Sequence, residues 1–269
     1  MVQPLKQLFR GNTPLLITVP HAGTIVPADI KLRLTEQARV LPDTDWCVDV
    51  LYEFAKELGA TLLLATHSRY VVDLNRDSKD TDLYPGQLKT GLVPLETFKG
   101  EAIYQTNEEP DTIEQINRVA AYWYPFHDAI KAEIDYIKDK FGYCMLYDAH
   151  SIASEVPRLF DNILPDLNIG TVHGSSFDEE LSNRVMAACA NAPFQSVLNS
   201  RFVGGYITRH YGDPKNNVHA VQMEQTQKNY LDGEIWPIHY NPDKAAKLQS
   251  TLRAILIEML EWGKTQKTG

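Results

Sequence analysis

The 269-residue chain has no apolar run near the roughly 20 residues that a membrane-spanning helix needs. Met1 to Thr13 is polar and contains no apolar core of a secretory signal. Both absences lead to the expectation of a soluble, cytoplasmic protein without a membrane partner. Cysteine is scarce: Cys47, Cys144 and Cys189 form no Cys-x-x-Cys pair, which excludes a disulfide framework and a thiolate metal site. Positive charge is also in deficit. With 26 Lys and Arg against 35 Asp and Glu, the net charge of −9 argues against a nucleic-acid partner, which would need a basic face. The chain has no Gly-x-Ser-x-Gly elbow, His-Glu-x-x-His helix, phosphate loop or dinucleotide fingerprint. It shows no repeat, low-complexity tract or linker, so one domain over residues 1–269 is the economical expectation.

What is present alternates between strand and helix patterns. Leu15–Val19, Thr61–Ala65, Cys144–Asp148, Gln195–Leu198 and Ala220–Met223 are short apolar runs of strand type. Helical spacing marks Trp46–Leu58, with Gly59 as the stop, Asp111–Phe141 with a capping box at Asp111 and Glu114, Asp178–Ala190, and Pro242–Trp262. Residues 76–110 carry several Gly, Pro, Asp and Thr with weak periodicity and read as a long irregular excursion of the kind that covers a site or moves. The alternation predicts an α/β fold, three layers around a mixed, largely parallel sheet, with ligands bound at the carboxyl ends of strands.

Two histidines stand after such strands: His21 in Pro20-His21-Ala22-Gly23 and His150 in Asp148-Ala149-His150-Ser151. Neutral imidazoles suit zinc, and Asp148 is placed to orient His150. A lone histidine would more often simply end a strand; two at equivalent ends favour a metal. Asp43, Asp45 and Asp49 are candidate carboxylate ligands, with helix capping as the commoner role of an Asp in that position. Glu224 either faces a metal-activated water as general base or faces solvent. An acidic protein that takes an acidic small molecule must concentrate its cations, so Arg69, Arg76, Arg201 and Arg209, all in short turn-like segments, are candidate carboxylate forks. Gly204-Gly205 ahead of Arg209 suggests a close approach to a ligand or another backbone. His173 carries less weight, and His67, His127, His219 and His239 read as structural.

Eight segments occur in one order: Val19–Thr24, Asp43–Trp46, Ser68–Arg76, Tyr84–Gln87, Asp148–Ser151, Pro157–Phe160, Gly204–Gly212 and His219–Glu224. In this order they resemble the N-formylglutamate amidohydrolase family of histidine degradation, over a span from His21 to about Tyr230. That family is distantly similar to zinc carboxypeptidases, which implies a carboxypeptidase-like α/β/α fold. The resemblance implies hydrolysis of N-formyl-L-glutamate to L-glutamate and formate on Zn²⁺, or on Co²⁺, Mn²⁺ or Fe²⁺. It places His150 as a ligand, Glu224 as base, and Asn75 and Arg76 on the substrate's α-carboxylate. Completing that scheme, His21 and Asp45 fill the metal shell, Arg69 stabilises the oxyanion and Arg209 holds the side-chain carboxylate. The sequence departs from the carboxypeptidase pattern at Thr24, where a ligating glutamate would stand, which is why Asp45 is assigned that place. A related metal-dependent deacylase or carboxypeptidase acting on another N-acyl acidic amino acid is the alternative.

Overall fold

The computed structural model describes residues 4–81 and 90–266; the Tyr84–Gln87 segment lies outside them. Seven strands, β1 (Lys6–Phe9), β2 (Leu15–Val19), β3 (Thr61–Ala65), β4 (Cys144–Ile152), β5 (Leu167–Gly170), β6 (Ser196–Leu198) and β7 (Val218–Thr226), form one sheet in the order β1-β3-β2-β4-β7-β5-β6. The contacts β2·β3, β2·β4, β4·β7 and β5·β6 are parallel, while β1·β3 and β5·β7 are antiparallel. The sheet is therefore mixed and largely parallel, as expected. The helices are α1 (Ala28–Arg33), α2 (Glu36–Arg39), α3 (Val48–Leu51), α4 (Thr112–Arg118), α5 (Tyr124–Phe141), α6 (Glu179–Ala190), α7 (Tyr206–Tyr211) and α8 (Pro242–Thr265).

The period of two in the strands builds the layers. Leu15, Ile17, Val19, Met145, Tyr147, Val221 and Met223 turn to one face and pack with α6 and α8. Leu16, Leu63, Cys144, Leu146 and Ala220 turn to the other and pack with Phe126, Ile130 and Ile134 of α5. Both faces of β2, β4 and β7 are covered, which is why these strands read as continuous apolar runs. In α8, Ala245, Leu248, Leu252, Ile255, Leu256, Met259 and Trp262 are all at most 2% exposed. Each of the larger side chains contributes about 1.5–3 kcal/mol by leaving water.

Several boundaries differ from expectation for physical reasons. The strands β4 and β7 run on to Ile152 and Thr226, paired residue for residue, so His150 and Glu224 lie inside strands and not beyond them. The stretch Trp46–Leu58 is not one helix. Cys47 adopts a left-handed conformation (φ 58°), α3 spans four residues, and a 3-10 segment follows over Glu53–Leu58, with Val50 left 45% exposed. The polar β1 escapes a search for apolar runs because it is an edge strand, and β5 is four residues long. The expected helix at Asp111–Phe141 begins as predicted, Asp111 accepting from Glu114 N–H at 2.8 Å. It is interrupted by a π-helical turn over Val119–Trp123. Pro125 stands two residues past its end; a proline inside a regular helix loses a bond and collides with the carbonyl four residues back, here that of Ala121 within the turn, and the widened turn relieves both. Among the described residues of 76–110 there is no helix or strand of length. Leu92, Val93, Ile103 and Tyr104 there are nonetheless buried.

Candidate active site

The strand alternation that builds the core also builds the site. Residues 144, 146, 148 and 150 of β4 share a face, as do 220, 222 and 224 of β7. In the ladder Asp148 lies beside Gln222 and His150 beside Glu224. On the other flank Thr18 of β2 lies beside Asp148 and donates to its Oδ1 at 2.7 Å. Just past β2 the chain turns at Pro20 and presents His21. The connection to β3 leaves β2 on one side while β4 lies on the other, so the site occupies a crevice at the carboxyl ends of strands where the order reverses.

His21, Asp45 and His150 converge, with ligand atoms all within 4.8 Å of one another. His150 Nδ1 is 3.1 Å and His21 Nδ1 3.7 Å from the same oxygen, Asp45 Oδ2. Four tetrahedral bonds of about 2.0–2.1 Å put ligand atoms about 3.3 Å apart, between these two values. Each imidazole turns its far nitrogen to a carboxylate: His21 Nε2 donates to Asp73 Oδ1 and His150 Nε2 to Asp148 Oδ2, both at 2.8 Å. With Nε2 bonded outward, both Nδ1 atoms face inward, and a bound cation would take the place of the Nδ1 proton that His150 shares with Asp45, as in carboxylate–histidine–metal triads. Asp45 does not cap a helix, since the left-handed Cys47 separates it from α3. Its Oδ2 accepts from Ser151 N–H at 3.0 Å instead. Asp45, Asp73, Asp148 and Glu224 are all buried, against one buried arginine at their centre, Arg69. An anionic surplus of this kind suits a divalent cation, so donor geometry and charge both fit one.

Electrostatics follow from burial and from these pairings. Burial, then the charge of Arg69, pulls the His21 imidazolium below its ordinary value and keeps it neutral. Burial also opposes a charge on His150, but Asp148 and Asp45 outweigh it and hold the group well above the usual histidine range. Burial would raise Asp45, yet His150, His21 and Arg69 bring it below the usual carboxylate range. Asp73 lies well below that range, because Arg69 and His21 overcome its burial. Glu224 is the exception: burial pushes its carboxyl up to about 8, and His150 only partly offsets this.

Arg69, 6% exposed, donates through Nη2 to Asp73 Oδ2 at 2.6 Å. Its Nη1 is 3.8 Å from Asp45 Oδ1, and its guanidinium lies 4.7 Å over the Phe98 ring. Asn75 is buried and already engaged: Oδ1 accepts from Ile207 N–H at 2.8 Å, and Nδ2 lies 3.3 Å from Asp148 Oδ2. Half-buried Arg76 donates to Thr90 O and Thr90 Oγ1 and to Asn75 O. Arg209, in α7, donates from Nε to Gly204 O at 2.8 Å. The close approach expected at the glycine pair is real. A Cβ on Gly205 would come 2.3 Å from Asn75 Nδ2, and Gly204 has φ +130°. Gln222 Oε1 accepts from Gly205 N–H at 2.6 Å while its Nε2 donates to Glu224 Oε2 at 3.2 Å.

Other candidates fall elsewhere. Asp43 Oδ2 accepts from Tyr70 OH and Phe98 N–H and serves the fold. Asp49 lies in the first turn of α3. Arg201 donates to Leu159 O, and His173 is exposed. His127 is structural as expected, its Nε2 at 2.9 Å from Leu74 O. The residues missed were Asp73 and Gln222. Asp73 stands two residues before the Asn75-Arg76 pair and four after Arg69; that i,i+4 spacing was the available signal.

The sequence profile of the N-formylglutamate amidohydrolase family matches residues 13–231. Two relatives called N-formylglutamate deformylase are similar over nearly their whole length. One, from Pseudomonas putida, is 44% identical over 94% of this chain and 95% of its own. The other, from Pseudomonas aeruginosa, is 47% identical over 95% of this chain and 96% of its own. In fold, the chain is similar to a crystal structure of N-formylglutamate amidohydrolase from Ralstonia eutropha, with a TM-score of 0.82 at 22% identity, covering 96% of this chain and 99% of that one. The profile and both relatives extend across His21, Asp45, Asp73, His150 and Glu224, and on that footing the chain belongs to the N-formylglutamate amidohydrolase family.

Proposed function

We propose that the chain hydrolyses N-formyl-L-glutamate to L-glutamate and formate, as the last step of a histidine degradation route in the cytoplasm. A divalent metal, zinc first among candidates, would be held by His21, His150 and Asp45. The observation that carries this reading is the pair of oriented imidazoles aimed at one carboxylate oxygen, with a buried glutamate in register beside one of them. The names borne by the relatives support the choice of substrate.

A divalent cation bound there would supply Lewis-acid chemistry, polarising the formyl oxygen and lowering the pKa of water toward about 7. The chain's own residues do the rest. Glu224 in its ionised form, which the charge of a bound divalent cation would favour against burial, accepts a proton from the attacking water. As the carbon–nitrogen bond breaks, it returns that proton to the departing amine nitrogen. Arg69, permanently charged and out of bulk water, faces the negative charge that develops on the formyl oxygen. Arg76 and Arg209 bind the two carboxylates of the acidic substrate, and Asn75 fixes the strap that carries Arg76.

Formate release from purified protein tests this reading directly. N-formyl-L-glutamate is expected to turn over faster than N-acetyl-L-glutamate and glutamyl peptides, with activity lost on chelation and restored by a divalent metal. A preference for the acetyl substrate, or full activity in metal-stripped protein, would overturn it.

A further inference from the structure

We infer that Asp73 is a positioning residue shared by the metal-holding and charge-stabilising halves of the site, so that one carboxylate fixes both His21 and Arg69. Asp73 is fully buried, and its two oxygens divide the work. Oδ1 accepts from His21 Nε2 at 2.8 Å and from Asn75 N–H at 2.9 Å. Oδ2 accepts from Arg69 Nη2 at 2.6 Å. The first pair of bonds sets the tautomer of a metal ligand and the start of the strap that carries Arg76. The second holds a guanidinium whose other arm reaches toward Asp45. No other described side chain bonds both a candidate ligand and Arg69 so closely: Asp45, the nearest rival, is 3.8 Å from the arginine.

Asp73→Asn separates the two duties. The amide has one acceptor and one donor end. Two donors, His21 Nε2 and Asn75 N–H, meet the Oδ1 position and one, Arg69 Nη2, meets Oδ2. The amide oxygen therefore stays with His21 and the backbone, and its NH₂ is placed against the guanidinium. His21 keeps its tautomer while Arg69 loses its anchor. Asp73→Ala removes both supports.

The inference rests on the metal-dependent reading above, so metal affinity is measured first, without substrate, by chelator competition with Zn²⁺ on metal-stripped protein. Asp73→Ala is expected to bind Zn²⁺ about 10–100-fold more weakly, and Asp73→Asn to stay within about 10-fold of wild type. Arg69→Met, which removes a cation beside the site, is expected to bind at least as tightly as wild type. In turnover, Asp73→Asn should lose kcat to about the extent of Arg69→Met, and the double variant should lose little more. Cooperative thermal melts of the stripped proteins confirm folding, and the isosteric Asn variant carries the test if the Ala variant fails to fold. Wild-type zinc affinity in a folded Asp73→Ala protein, or multiplying kcat losses in the double variant, would overturn the shared role alone. A wild-type protein that binds no divalent metal would overturn the proposed function with it.

Discussion

His21 and His150 present the same nitrogen to the same carboxylate, but the two halves of the site are built differently. His150 takes its orienting partner from its own strand: Asp148 is two residues away on the same face, and Thr18 and Asn75 also engage it. His21 stands on a turn past β2, and its partner Asp73 comes from a separate strap 52 residues on. Asp148 serves one imidazole in a rigid ladder, whereas Asp73 also carries an arginine. The electrostatics part in the same way, since burial and then the guanidinium beside Asp73 pull His21 below its ordinary range, while Asp148 and Asp45 hold His150 above it against burial. A strand ladder thus fixes one ligand by register, and the other depends on a carboxylate that is also ion-paired with Arg69, four residues before it on the same strap. Register is costly to disturb and serves a single purpose; the ion pair can link two.

The largest effect expected on the ladder side is at Glu224. Glu224→Gln should lower kcat by about 10²–10⁴-fold with metal retained, as formate release and metal analysis will register. Next, Asp148→Ala should weaken zinc binding about 10–100-fold, measured by chelator competition. Combined with Arg69→Met, its kcat loss should multiply, in contrast to the Asp73 series; non-additivity here would erase the difference between the two halves. Third, the buried Glu224 carboxyl is raised to about 8. Because the folded state disfavours its ionised form, its contribution is fully present below the unfolded value near 4.5 and is lost as pH rises through 8. Metal-stripped Glu224→Gln should then be more stable than wild type at pH 9 by more than about 1 kcal/mol, with the gap closing toward pH 5 in urea titrations. On the strap side the smallest change is expected. Trp123 Nε1 donates to Arg76 O at 2.9 Å, and Trp123→Phe removes that one bond. KM should rise about 5-fold with kcat nearly unchanged.

The same division explains what could be read from sequence. Asp148 was legible as the partner of His150 because a strand fixes which face a residue two positions away occupies. Asp73 was not, because no local rule brings Val71–Leu74 back over Pro20-His21; that contact is a product of tertiary packing. The strand cores and α8 were legible from periodicity, since both faces of the sheet are covered. The extension of β4 and β7 was not, because Asp148, His150, Gln222 and Glu224 look like strand-ending polar residues until the site that buries them exists. Likewise the left-handed Cys47, which frees Asp45 from capping, carries no compositional mark.

The π-helical turn at Val119–Trp123 bears on which length changes the chain can tolerate. It holds one residue more than a regular turn, and a regular helix advances about 100° per residue. Because the widened turn absorbs that extra residue, deleting one of Val119–Tyr122 would restore a regular turn and leave the helix faces on either side nearly where they are. Trp123, bonded to Arg76 O, and His127, bonded to Leu74 O, would then keep their alignment with the strap while Ile130 and Ile134 stay in the core. A one-residue deletion there is expected to cost chiefly the Pro125 clash that the widened turn relieves, and to be far less damaging than a deletion within the regular turns of α5, which would rotate its faces by about 100°.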